Sequence, residues 1–383
     1  MTLARSRRLG GLVQSDIRAM TRECDRVGGV NLGQGVCDLP TPPLVRDAAI
    51  AAIQEGRSIY SYPEGIADLR HAIARKLERD NGITADPESE ILVTSGSAGA
   101  YVAALHALLD PGDGILLMEP YYGYHLGTAK VAGLEPQFLT LAAPDYRLTA
   151  DALRAACQDN TRAVVVCTPS NPSGRMFTRE ELEDLATVAR ERDLLVLTDE
   201  IYEQIRYDGR EHVSPATVSD LADRTITIQG LSKTFSITGW RLGYCVGPAD
   251  AVAAMTLVHD LFAICAPTPL QYGVAAGFAS PPSFFEDMRA QYARKRDLIC
   301  GTLERAGLAP IWPEGAYYVL ADVSRLECAT SKEAALLLLE RTGVASVPGS
   351  AFHQSAEGER LVRFCYAKDM DVLTEGCRRL ATL

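Results

Sequence analysis

The stretch LLVLTDE, residues 194–200, decides the fold. Four consecutive apolar residues leave no polar face, so a strand here must be covered on both sides. The run then stops at Thr198, Asp199 and Glu200. The same pattern recurs at ILVTSGS (91–97), GILLMEP (114–120), AVVVCTP (163–169), TITIQGLS (225–232) and LGYCVG (242–247). Helical segments lie between these runs. Continuous apolar strands alternating with helices imply an α/β fold with a mostly parallel sheet between helices. In such sheets ligands bind beyond the carboxyl ends of the strands. The polar residues that close the runs are therefore the site candidates: Ser95, Ser97, Glu119, Asn171, Asp199 and Lys233.

The flanks read differently. The first thirty residues predict an irregular arm with a short helix. NLGQGVCDLPTPP (31–43), with two glycines and three prolines, predicts a loop. Helices are expected over 44–55 and 65–80, the second from Leu69, Ile73 and Leu77 at helical spacing. A long helix over 282–306 leads to strands at 315–323, 343–348 and 360–367 and helices at 331–342 and 371–383, the order of a small α+β domain. The expected division is an arm and loop over 1–45 that join the small domain, a large domain over 46–280, and a small domain over 281–383 with its linking helix.

The 383 residues are 47% hydrophobic and 23% charged, as in ordinary globular proteins. A net charge of -11 argues against nucleic acid or an anionic membrane as the main partner, while small anions can still find a local cationic site. Ten cysteines form no C-x-x-C pair, so neither a zinc site nor a thioredoxin-like motif is expected, and no metal. They sit in apolar runs such as VVVCTP and GYCVG and read as small buried side chains in a reducing compartment. MTLARSRRLGGLVQ has basic residues with no apolar segment after them, so no secretory signal is expected. No run of 18 apolar residues predicts a membrane span. The expectation is a cytoplasmic protein.

The chemistry centres on SKTFSITGWRLG, residues 232–243. Lys233 follows an apolar strand, where low polarity lowers an amine's pKa and frees its lone pair to form an imine. Taken alone it reads more readily as a surface lysine. Arg241, between Gly239 and Gly243, suits a phosphate or a neighbouring carboxylate. Asp199 ends a buried strand and needs a cation or several donors, unless it merely caps a helix. Tyr202 lies three residues on. Asn171 in TPSNPSG can present its amide to a ligand or simply make a turn. TSGSAGA (94–100) exposes backbone N–H groups at a helix N-terminus, an anion cradle of low specificity by itself. EPYYGY (119–124) offers aromatic rings for stacking or for core packing. Together these parts match one ligand, pyridoxal 5′-phosphate, whose aldehyde, ring nitrogen, 3-hydroxyl, flat ring and phosphate each find a partner.

SKTFSITGWRLG with SNPSG and TDEIYE, in this order and spacing, resembles the fold-type I pyridoxal-phosphate aminotransferases of class I/II. The similarity runs from NLGQG to LVRFCYA, and it is similar to the aspartate, kynurenine and aromatic branch without choosing among them. The resemblance implies transfer of an amino group from an L-amino acid to a 2-oxo acid in a ping-pong cycle. It implies that Lys233 forms the internal aldimine and shuttles the proton, that Asp199 pairs with the ring nitrogen, and that Asn171 and Tyr202 bond the 3-oxygen. Tyr122 would stack on the ring. Ser97, Ala98, Ser232 and Arg241 would hold the phosphate, and Tyr60 would reach the phosphate of the other subunit of a homodimer with shared sites. Gly35 and Arg363, with Asn171, would hold the substrate's α-carboxylate.

Three departures stand out. Gly230 occupies a position where the family often has serine, with Ser232 the candidate to compensate. Val36-Cys37-Asp38-Leu39 replaces a Pro-Asp-Phe continuation. LFAICAPTPLQ (261–271) has no charge where some relatives carry a substrate-reading arginine, so no dicarboxylate site is expected in that segment. Side-chain selectivity is expected from the N-terminal arm, Tyr124, His125 and residues 261–271. The alternative within the family is a lyase, replacement or cyclising enzyme acting on an amino acid in secondary metabolism. A non-catalytic regulator on this fold would carry a DNA-binding segment upstream, which the short arm and acidic balance oppose.

Overall fold

The computed structural model describes residues 6, 9, 10, 12, 14–37, 39–218 and 220–383. Asp38 of the departing loop and the basic residues Arg5, Arg7 and Arg8 lie outside the described residues. Strands form at β1 (Val30–Asn31), β2 (Ile91–Thr94), β3 (Gly114–Glu119), β4 (Glu135–Thr140), β5 (Thr161–Cys167), β6 (Leu195–Asp199) and β7 (Thr225–Gly230). They continue with β8 (Gly243–Val246), β9 (Ala309–Ile311), β10 (Tyr318–Asp322), β11 (Val344–Ala345), β12 (Val347–Pro348) and β13 (Leu361–Cys365). Each of the six central apolar runs is a strand. β4, EPQFLT, was not expected, because it carries a proline and alternates buried with exposed residues. It forms the outer edge of the sheet, the place where a proline is tolerated.

Seven strands make one sheet in the order β2-β8-β7-β6-β5-β3-β4. The pairs β3–β4, β3–β5, β5–β6 and β6–β7 are parallel. β8 runs antiparallel to both its neighbours. Successive side chains of a strand point to opposite faces, and here both faces are buried. Ile115, Leu117, Ala163 and Val165 pack in one core with helices Gly96–Leu108 and Ala249–Ala263. Leu116, Met118, Val164 and Val166 pack in another with helices Ala150–Ala156 and Arg179–Glu191. This two-sided covering is what the absence of a polar face in these runs required.

Beyond helix Pro282–Arg305, the antiparallel sheet β12-β13-β10-β9 forms a second layer. The expected strand over 343–348 is divided. Val344–Ala345 pairs parallel with β1, and Val347–Pro348 pairs with β13. The N-terminal helix Asp16–Val27 leads directly into β1. Leu32 then bonds Ala345 and Cys365 through the backbone, which ties the arm to the C-terminal strands. Met20, Cys24 and Leu32 share a core with Leu338, Val362 and Phe364.

Candidate active site

Sheet order explains why Lys233 and Arg241 face one space. β7 ends at Gly230 and passes into a single helical turn, Leu231–Thr234, that carries Ser232 and Lys233. β8 returns antiparallel, so Arg241, just before it, lies at the same end. β2 is antiparallel to β8 and delivers helix Gly96–Leu108 there too. In the same row Cys167, Asp199 and Ile228 pair side by side at the ends of β5, β6 and β7. A cavity of about 380 Å³ opens beyond these ends. Gly35, Ser97, Ala98, Tyr122, Asn171, Asp199, Tyr202, Ser232, Lys233, Arg241 and Arg363 all line it. Tyr60 does not. It is 75% exposed, on a surface outside the cavity lining.

One end of the cavity is an anion cradle. Ser97 and Ala98 belong to the first turn of the helix, where backbone N–H groups have no partner within the helix. Gly96 has φ +75°, and a Cβ there would come 2.5 Å from an Arg241 guanidinium nitrogen. A Cβ on Gly243 would come 2.4 Å from the Ser97 backbone nitrogen. These two absent side chains let helix and guanidinium close on one another. Arg241 itself is left-handed, with φ 56°, and donates to the Thr238 carbonyl at 3.1 Å. At Gly230 a Cβ would meet the Ile201 side chain at 2.7 Å. Ile201 thus fills the volume a larger residue would need, and the hydroxyls at this end come from Ser97 and Ser232. Converging N–H groups, two hydroxyls and a guanidinium are the donor set a phosphate monoester requires.

The middle of the cavity holds the amine and the carboxylate. Lys233 is half-buried. Loss of solvent pulls its pKa below the ordinary lysine value, Cys365, Cys37 and Asp199 oppose that shift, and Arg241 adds to it. Its Nζ donates to the Gly35 carbonyl at 3.3 Å. A Cβ on Gly35 would fall 1.9 Å from the Tyr318 hydroxyl, so only glycine lets the loop lie here. Asp199 is buried, with its Oδ2 3.0 Å from His125 Nε2, a bond an ionised carboxylate can only accept. His125 was expected to read substrate side chains. It is buried, lines the cavity beside Asp199, and lies between the rings of Tyr101 and Tyr122 at 4.8 and 5.3 Å. Its position three residues after Tyr122, one turn along helix Gly123–Ala132, was the available signal. Burial, and then the neighbouring Tyr318, raise the Tyr202 pKa well above the ordinary tyrosine value, so the phenol stays protonated and able to donate. The Tyr202 and Tyr318 hydroxyls are 3.1 Å apart. Tyr318 was not foreseen, because only the β10–β13 pairing brings it beside Arg363.

Arg363 closes the far side. It is 1% exposed and has no carboxylate partner among the described residues. NH1 donates to Asn171 Oδ1 at 2.8 Å and NH2 to the Gly33 carbonyl at 2.7 Å, while Nε is buried without a partner. Its charge rests against the faces of Tyr318 and Phe352, 4.2 and 4.8 Å from the ring centres. Asn171 spends its oxygen on Arg363, which leaves its amide N–H groups for the cavity. Of the expected selectivity positions, Tyr124 and His125 line the cavity, and the arm contributes Ile17 and Arg18. None of residues 261–271 does. Leu261 and Phe262 are exposed on the outer surface of helix Ala249–Ala263.

The geometry agrees with the comparisons. Residues 27–380 match the family described as Aminotransferase class I and II. The chain is 35% identical over 382 residues to aromatic-amino-acid aminotransferase 2 of Thermococcus litoralis, covering 99% of this chain and 97% of the relative. It is 36% identical over 354 residues to the aspartate aminotransferase of Pyrococcus abyssi, covering 92% and 90%. The solved structure of N-succinyldiaminopimelate aminotransferase from Mycobacterium tuberculosis superimposes with a TM-score of 0.95 at 35% identity, covering 99% of this chain and all of that one.

Proposed function

The chain belongs to the class I and II aminotransferases, pyridoxal-phosphate-dependent enzymes of fold type I that move amino groups, and we propose from that premise how its own residues divide the work. When bound, the cofactor supplies an electrophilic carbonyl carbon and a pyridinium that draws electrons from the substrate's Cα. The backbone N–H groups of Ser97 and Ala98, with Ser232 and Arg241, hold the phosphate. Tyr122 covers one ring face. Asp199, oriented by His125, holds the proton on the ring nitrogen. Asn171 and the protonated Tyr202 donate to the 3-oxygen. Lys233 Nζ would hold the cofactor between turnovers and would carry the proton taken from the substrate's Cα. Gly35 and Arg363, with Asn171, hold the α-carboxylate shared by the amino donor and the 2-oxo acceptor. That both substrates use one grip suits a ping-pong cycle.

The observation that carries this reading is a buried guanidinium, without a carboxylate partner among the described residues, facing the same cavity as an amine of lowered pKa. The test is a half-reaction. Holoenzyme mixed with an amino acid and no acceptor should yield one equivalent of pyridoxamine phosphate and one of 2-oxo acid. Ammonia or pyruvate without pyridoxamine phosphate would instead support the elimination chemistry.

We also propose a homodimer with shared sites, in which Tyr60 reaches the partner's cradle. Supporting this, Tyr60, Tyr62, Leu257, Leu261 (85% exposed) and Phe262 leave a large apolar area uncovered. Sedimentation should give twice the monomer mass. Mixed dimers of Tyr60→Ala and Lys233→Ala chains should recover activity that neither variant has alone. The division into 1–45 with 281–383 against 46–280 is proposed on the shared core of arm and C-terminal strands. A reducing, cytoplasmic setting is proposed from the buried free thiols of Cys24, Cys37 and Cys245.

A further inference from the structure

Among the described residues four cations line the cavity, Arg18, Lys233, Arg241 and Arg363, against one carboxylate, Asp199. Three of the four have work in the reading above: the amine that retains the cofactor, the phosphate cradle, and the α-carboxylate grip. Arg18 has none. Among the described residues its guanidinium has neither a hydrogen-bond nor an ion-pair partner, and the residue is exposed where it lines the cavity. It also stands in the first turn of helix Asp16–Val27, the end of a helix that disfavours a positive charge. Neither local pairing nor helix stability accounts for a cation there.

A continuous set of bonds ties the helix that carries Arg18 to Arg363. Thr21 lies three residues after Arg18, so the two are neighbours on one helix face. Thr21 Oγ1 accepts from Asn31 Nδ2 at 3.2 Å. Asn31 Oδ1 in turn accepts from the backbone N–H groups of Gly33 and Gln34, at 3.0 and 3.1 Å. The Gly33 carbonyl accepts from Arg363. Helix, loop and Arg363 thus form one unit, with Gln34, Gly35 and Val36 lining the same cavity as the two guanidiniums.

We propose that Arg18 reads an anionic group at the far end of the substrate, which makes the preferred substrates L-amino acids and 2-oxo acids with acidic side chains. This inference rests on the amino-transfer reading and adds the substrate class. It places the charge reader on the N-terminal helix rather than in the uncharged segment 261–271. The physical reason is that a carboxylate moved out of water needs a guanidinium whose hydrogen bonds are not already spent.

The test compares acids with their neutral isosteres in the holoenzyme. Single-turnover conversion of bound pyridoxal phosphate to pyridoxamine phosphate is followed by absorbance with L-aspartate against L-asparagine and L-glutamate against L-glutamine. The wild type should prefer the acid in at least one pair, and the pair that does so reports the reach of Arg18. In Arg18→Ala that preference ratio should fall roughly 10- to 100-fold, with Arg18→Lys in between. Cofactor content is measured in each variant. A wild type that does not discriminate acid from amide overturns the proposal, as does a preference that survives Arg18→Ala. Loss of bound cofactor in Arg18→Ala also overturns it, because the guanidinium would then serve the cofactor. Failure of every amino acid to convert the cofactor would sink the amino-transfer reading itself.

Discussion

Replacing Arg363 tests the substrate grip most directly. A guanidinium has five N–H donors. Two are spent on Asn171 and Gly33, and Nε is buried with no partner. The remaining donors can meet a carboxylate in a two-bond fork. Hydrogen bonds to charged groups contribute about 1.5–3 kcal/mol each. Arg363→Lys keeps a point charge but loses the fork, so kcat/KM should fall about 10- to 150-fold. Arg363→Met loses charge and fork together, a loss of about 3–5 kcal/mol, or roughly two to four powers of ten. The assay is steady-state kinetics with an amino donor and a 2-oxo acceptor, each varied in turn. Because both substrates carry the α-carboxylate, kcat/KM should fall by similar factors for both. A primary amine that lacks the carboxylate serves as control, and the variants should handle it no worse than wild type does. The reasoning is refuted if Arg363→Met keeps wild-type kcat/KM, or if the control amine suffers the same loss.

Three further outcomes are expected. Cofactor loading needs the unprotonated Lys233 amine, and burial lowers its pKa, so the pH profile of pyridoxal phosphate uptake by apoenzyme should have its midpoint below the ordinary lysine value of 10.5; a midpoint at or above 10.5 contradicts the structure. Gly96→Ala puts a Cβ where the Arg241 guanidinium lies and strains a φ of +75°, so equilibrium dialysis should show cofactor affinity at least tenfold weaker, and an unchanged affinity would count against the cradle. Buried Glu203 pairs with buried Lys76 and accepts from Asn81 and Gln229 at 2.6 and 2.9 Å; burial alone would raise its pKa, but Lys76 with the nearby His212 and Asn81 bring it down to about 2. A depressed carboxylate pKa stabilises the fold at pH above the ordinary 4.5 and that contribution fades as pH falls toward 2, so Glu203→Gln should cost about 3–5 kcal/mol by urea denaturation at pH 7 and distinctly less at pH 3.

Much of the sheet was legible because burial on both faces leaves a plain signature, an unbroken apolar run that stops at a polar corner. β4 escaped because an edge strand needs no such run. The 343–348 segment looked like one strand because nothing in GVASVP marks the residue at which the chain leaves β1 for β13. The cavity-lining residues were legible one by one only as ambiguous polar corners, and the resemblance joined them. His125 lines the cavity as expected, but its bond to Asp199 was not legible, because that contact joins residues 74 apart in the chain. The uncharged 261–271 segment does not line the cavity within one subunit.

By itself, the sequence determined the two-sided sheet, the place of the site at its carboxyl ends, and the chemical inventory of amine, carboxylate, phenol, amide and guanidinium. These follow from short-range pattern, which a strand's period of two and a polar corner record directly. Only the tertiary structure decided which groups meet. The reversed direction of β8 brings Arg241 to the end where β7 leaves Lys233, the β10–β13 pairing sets Tyr318 against Arg363, and the arm's ladder with β11 carries Arg18 into the cavity. Such contacts join residues far apart in the chain, and pairing direction and register, which set them, leave no mark on the local order of residues.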